Sequence, residues 1–217
     1  FIQEGTYKYI PYNKLFRRTE FLEVEDYGKF EVYANRDSLK YQNIYGLNDA
    51  LTIYRGTIRR VGYSRAWDIL VQLGMTDDSY TMENSAEMTY REFTNSFLPY
   101  HPTDTVEIKL RHAQKIDQDD IIWDKLLELD IFNADKLVGL ENATPAQILE
   151  KILSKKWTLA PNDKDMIVMY HKLGYELNGE KKQIDATMVC LGEDQTYTSM
   201  AKTVGLPVAI AALKILD

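Results

Sequence analysis

Strand signals at both ends of this chain flank a middle that reads as helix, and that order limits the folds open to it. Near the start, Phe30 to Tyr33 alternates apolar and polar residues as a strand does. Thr52 to Arg59 predicts a second strand, weakened by Gly56, and residues 39–48 a helix or loop. Residues 63–157 carry one helix signal after another. Ser64 stands as a cap before Trp67, Leu70, Val71 and a stop at Gly74. Thr89 to Glu92 is a capping-box pattern ahead of Phe93 and Phe97, and Ile122, Leu126 and Leu129 recur at helical spacing. Thr144-Pro145-Ala146-Gln147 supplies an N-cap, a proline at the first helical position and a glutamine two further on, before Ile148, Leu149, Ile152 and Leu153. These apolar positions predict a helix-bundle core. Strand character returns with Met166 to Tyr170 and Gln183 to Leu191, separated by Asn178-Gly179, a hairpin-turn pair. Ser199 to Leu216 predicts a helix that Pro207 either kinks or starts, with Thr198 and Ser199 as capping residues. The expected class is α/β, an α+β-like mixed sheet with helices carrying an inserted all-helical subdomain. Residues 1–62 and 158–217 form the discontinuous α/β part, and 63–157 the insertion.

The composition excludes several functions. Of 217 residues 45% are hydrophobic and 27% charged, enough for a real core without disorder, and no apolar run approaches spanning length. A formal charge of -7 argues against a nucleic-acid binder, and neither nucleic acid nor membrane is expected as a partner. Cys190 is the one cysteine, which fits a reducing compartment, and His101, His112 and His171 lie too far apart for a metal-ligand motif. Cys190 and His171 are read as structural. The eleven glycines are never separated by a single residue, so there is no G-x-G-x-x-G cradle, and neither a phosphate loop nor a nucleophile elbow is present. The chain opens on Phe1 rather than a start methionine, and is expected to be cut from a longer one.

Against this acidic background, Tyr54 to Arg65 holds four arginines and no acid, and Asn35-Arg36-Asp37-Ser38 adds a fifth. A guanidinium fork matches a carboxylate or a phosphate. As a strand, Thr52 to Arg59 places Arg55, Thr57 and Arg59 on one face, about 6.6–6.8 Å apart. Arg60 and Arg65 read as surface or salt-bridge residues, and Arg55 is left open. Asp37 is expected either to pair with Arg36 or to cap a turn. Lys202 is given no catalytic role.

Taken together, Asn35-Arg36-Asp37-Ser38, Tyr41 to Leu47, Arg55-Gly56-Thr57-Ile58-Arg59, Gly62-Tyr63 and Leu70-Val71-Gln72-Leu73-Gly74 resemble the L-glutamate-forming saccharopine dehydrogenases. Asp163 to Met169 and Ser199 to Pro207 resemble later motifs of the same family, in the same order. The resemblance implies an oxidoreductase of lysine metabolism, interconverting saccharopine plus NAD(P)+ with glutamate plus 2-aminoadipate 6-semialdehyde. It implies that Arg36, Thr57, Ile58 (through its backbone) and Arg59 bind saccharopine or glutamate. It also implies a Rossmann domain for NAD or NADP, missing from these residues, so that the fragment alone is expected to be inactive. A homodimer is implied too, in the cytoplasm, or in mitochondria if the source is a eukaryote. No metal is expected, and no residue is identified as the general base. Two other readings stand beside this one: a related reductase such as carboxynorspermidine synthase, and a non-catalytic interaction module with the same fold.

Overall fold

The computed structural model describes residues 1–216, which divide into two compact units, residues 1–157 and residues from 158 onward. The first unit opens with a small ribbon, β1 (Ile2–Gln3) and β2 (Thr6–Tyr7), and a short helix, α1 (Tyr12–Leu15). A three-stranded antiparallel sheet follows in the order β3 (Thr19–Val24), β4 (Gly28–Ala34), β5 (Gly56–Arg60). Helix α2 (Lys40–Ile44) lies between β4 and β5 in sequence. The strand expected from Thr52 is shorter, because Arg55 falls just before it and Ile53 instead bridges to Ile2. Gly56 begins β5, since Val32 Cγ1 on the paired strand occupies the space a Cβ would need.

Five helices complete this unit: α3 (Tyr63–Leu73), α4 (Tyr90–Asn95), α5 (Val106–Gln114), α6 (Ile121–Glu128) and α7 (Pro145–Trp157). They enclose a core of their own, from Ile69 and Leu70 through Phe93, Leu110 and Leu126 to Ile152 and Leu153. Their ends form where local chemistry dictates. Thr89 and Glu92 make the full capping box, and Thr144 and Gln147 do the same, each side chain bonding the other's backbone N–H. Gly74 closes α3 in the left-handed conformation at φ +90°. The other end of α3 differs from the sequence expectation. Ser64 does not cap it; the cap position is Gly62 at φ +94°, and the Ser64 hydroxyl is buried without a hydrogen-bond partner.

The second unit is a long antiparallel hairpin followed by a helix. Strands β6 (Met166–Leu177) and β7 (Glu180–Leu191) pair along their full lengths across the Asn178-Gly179 turn, where both residues have positive φ. Helix α8 (Ser199–Leu216) keeps Pro207 inside it. Asp165 accepts the N–H groups of Ser199 at 2.6 Å and Met200 at 3.0 Å, and Thr198 Oγ1 accepts that of Ala201. Lys202 pairs with Glu193. By length and composition α8 could cross a membrane, which corrects the expectation that no segment approaches that length. The stretch from Val204 to Leu216 is interrupted by Pro207 and Lys214, and its exposed residues include Val204, Leu206, Ile210 and Leu213.

Candidate functional site

The Asn35-Arg36-Asp37-Ser38 segment is a turn that ties up its own polar side chains. Asn35 Oδ1 accepts the Arg36 N–H, and Asp37 Oδ1 accepts the Leu39 N–H, both at 2.8 Å. Asp37 thus caps the turn. Ser38 is buried, and its hydroxyl accepts the Arg55 N–H at 3.2 Å, while the Asn35 N–H donates to the Arg55 carbonyl at 2.7 Å. The Asn35 and Asp37 side chains are spent within the turn, and the Ser38 hydroxyl, with the Asn35 backbone, holds the turn against the residue before β5. Arg36 is left exposed and makes no ion pair among the described residues.

Register places the other candidates. Opposite Thr57 stands Tyr33, opposite Ile58 stands Val32, and opposite Arg59 stands Glu31. Thr57 and Arg59 therefore share the sheet face of Tyr33 and Glu31, and Ile58 turns to the other. Arg59 is exposed; it donates to the Ile58 carbonyl at 2.9 Å, and its Cζ lies 5.4 Å from the centroid of the Tyr63 ring. The other arginines separate by role. Arg55 stacks on Tyr41 at 3.9 Å, and Arg60 lies 4.6 Å from the Phe30 centroid and donates to the Tyr27 carbonyl. Arg65 forms a bidentate pair with Asp120, as expected of a salt-bridge residue. From Arg36 to Arg59, Cα to Cα, is at most roughly 22 Å, five strand rises along β4 and its extension plus one spacing between strands.

Sequence reasoning missed the surroundings of Arg59. Tyr63 lies nearly parallel to Tyr33 and Trp67, at centroid separations of 6.4 and 5.9 Å, and Phe16 packs on Tyr33 at 4.9 Å. Burial, then Tyr33, pushes the Tyr63 phenol above its ordinary value, while Arg59 pulls the other way. Glu31, only 5% exposed, accepts the N–H groups of Gly62 and Ser64 and so does the work expected of a capping serine. The one signal for it was an acid inside the apolar alternation of Phe30 to Tyr33. Among the described residues no group of side chains could hold a metal ion.

Comparison with known proteins agrees with this architecture. The model of the saccharopine dehydrogenase C-terminal domain family matches residues 1–217, and the chain belongs to that family. Bovine mitochondrial alpha-aminoadipic semialdehyde synthase is 33% identical over 195 residues, covering 86% of this chain and 20% of that protein. The NADP(+), L-glutamate-forming saccharopine dehydrogenase of Saccharomyces cerevisiae is 32% identical over 196 residues, covering 87% of this chain and 43% of that enzyme. The solved apo structure of the L-Glu-forming enzyme from the same yeast superposes with a TM-score of 0.83 at 27% identity, over all of this chain and 49% of the other. The chain thus spans from a fifth to about half of the relatives it matches.

Proposed function

We propose that this chain is the substrate-binding portion of an NAD(P)-dependent saccharopine dehydrogenase of lysine metabolism, with Arg36, Thr57, the Ile58 backbone and Arg59 holding saccharopine or glutamate. The observation that carries the reading is the state of the arginines. In a chain with 33 acidic and 26 basic residues, Arg36 and Arg59 make no ion pair among the described residues; Arg18, Arg55, Arg60 and Arg111 make none either, but Arg55 and Arg60, the other unpaired arginines of the two motifs, lie against the rings of Tyr41 and Phe30 at 3.9 and 4.6 Å. Two exposed guanidiniums on one sheet and its adjoining turn suit a substrate with carboxylates at both ends, and each charge-assisted contact contributes about 1.5–3 kcal/mol. Thr57 adds a hydroxyl beside Arg59, and β5, at the edge of its sheet, has backbone groups free for a ligand.

A bound nicotinamide cofactor supplies the hydride acceptor for the carbon next to the secondary amine. These residues offer no glycine-rich cradle for its pyrophosphate, so the main cofactor site belongs to a Rossmann domain outside them. The task of this chain is to orient the carboxylates so that the reacting carbon meets the cofactor. On this reading residues 63–157 are a helical insertion, which the separate core from Ile69 to Leu153 supports. Residues 1–62 and 158–217 then form the substrate and dimerisation part. A homodimer is supported by the apolar side chains that β6 and β7 leave outside, among them Met169, Leu173, Ile184 and Met188. The cytoplasm is its place in a bacterium and the mitochondrion in a eukaryote, as the name of the bovine relative has it.

The test is steady-state kinetics of the full-length enzyme. Arg36→Ala and Arg59→Ala should each raise the KM for saccharopine about 13- to 160-fold, the loss of one charge-assisted contact, with the KM for the dinucleotide unchanged. Wild-type KM in both variants would refute the site.

A further inference from the structure

The interaction that fixes where the Arg59 guanidinium lies is not with a carboxylate. Glu31 is the residue paired with Arg59 across the sheet, yet its carboxylate is turned to the N–H groups of Gly62 and Ser64. Those two N–H groups flank Tyr63, so the backbone on either side of that ring is anchored to β4. Gly62 takes φ +94°, a conformation that L side chains rarely adopt, and that turn delivers Tyr63 to the sheet. The ring is then braced by Tyr33 and by Trp67, both nearly parallel to it. Arg59 lies with its Cζ 5.4 Å from the centroid of this braced ring, and its guanidinium also donates to the Ile58 carbonyl at 2.9 Å. A guanidinium on an aromatic face keeps its full charge and its outward N–H groups, whereas one paired with Glu31 would be neutralised and drawn away from a ligand.

We propose that Tyr63 is a positioning residue for the substrate-binding arginine, with the buried Glu31 spent on the backbone around Tyr63 so that Arg59 stays free for a substrate carboxylate. The proposal rests on the reading of Arg59 as a saccharopine ligand.

The experiment compares Tyr63→Phe and Tyr63→Leu in the full-length enzyme, beside Arg59→Ala. Tyr63→Leu is expected to raise the KM for saccharopine about two- to thirtyfold, leaving kcat and the dinucleotide KM as in wild type. Tyr63→Phe, which keeps the ring but not the hydroxyl that Arg59 also acts on, is expected to fall between wild type and Tyr63→Leu, and a KM as high as that of Tyr63→Leu would overturn the role of the ring. A merely structural role would move kcat, dinucleotide KM and saccharopine KM together. Should Tyr63→Leu not fold, Tyr63→Met, of similar length but without a ring, is measured in its place. Wild-type saccharopine KM in the ring-less variant, with Arg59→Ala strongly impaired, overturns the role of Tyr63 and leaves the site standing. Wild-type KM in Arg59→Ala overturns the site itself.

Discussion

Replacing Gly56 with alanine tests how β5 is seated, and with it the placement of Thr57 and Arg59. A Cβ at residue 56 would overlap Val32 Cγ1 and would lie 3.0 Å from Tyr54 Cε1 and 3.4 Å from the Tyr33 carbonyl oxygen. Ordinary carbon contacts run at about 3.5–4.0 Å. Val32 is β-branched and cannot swing its methyl aside cheaply, so the two strands must part. Overpacking of this kind costs about 1–3 kcal/mol. Residue 56 does not have positive φ, so alanine also recovers some chain entropy, roughly 0.4–1 kcal/mol. The net expectation is a loss of about 1–2 kcal/mol, or about 2–8 °C in Tm for a chain of this size. Val32→Ala by itself should cost about 1 kcal/mol, from two half-buried methyl groups. In the double variant the overlap is gone, and the loss should fall short of the sum by about 1–2 kcal/mol. Thermal and urea unfolding of all four proteins measures this coupling. In the full-length enzyme, Gly56→Ala should raise the saccharopine KM, and adding Val32→Ala should bring it back. Stability losses that add within about 0.5 kcal/mol would refute the steric reasoning.

Asp165 and Arg65 offer two further tests. Burial pushes the Asp165 carboxyl up, but the bonds from Ser199 and Met200 outweigh it and leave the group below its ordinary value. Its contribution is therefore complete above the unfolded value of about 3.9 and is lost as pH falls through the lower folded value; Asp165→Asn should melt below wild type at pH 7, and the gap, followed by circular dichroism, should close as pH is lowered past about 4, whereas a gap that holds at every pH would refute it. Arg65→Ala removes a pair whose arginine side chain is 60% exposed, so it should cost less than about 1 kcal/mol and leave saccharopine KM at the wild-type value; a KM rise matching that of Arg59→Ala would show that the salt-bridged and free arginines had been sorted wrongly.

How far the fold was legible depended on how far apart its interacting groups lie in sequence. The capping boxes at Thr89 and Thr144, the stop at Gly74 and the turn at Asn178-Gly179 all appear as expected. Each is settled within three or four residues, where backbone geometry alone brings the partners together. The start of α3 was misread for the opposite reason: its capping group, Glu31, comes from a strand 31 residues earlier than Gly62. The apolar character of α8 is a matter of composition, already present in Val204 to Leu216 with Lys214 as the one charge, but Pro207 within it and Lys202 ahead of it break the run as read along the chain.

The candidate site divides along the same line. That an acidic chain concentrates arginine in two short motifs is legible in the order of residues alone, and the resemblance those motifs carry leads to Arg36, Thr57, Ile58 and Arg59. Which guanidiniums pair with an acid depends on the fold. Arg65 meets Asp120 across 55 residues, whereas Arg59 faces Glu31 in register and is left unpaired because that carboxylate is already held by Gly62 and Ser64. Ion pairing depends on a few ångströms between groups distant in sequence, and strand register, which sets that distance, is a property of the assembled sheet.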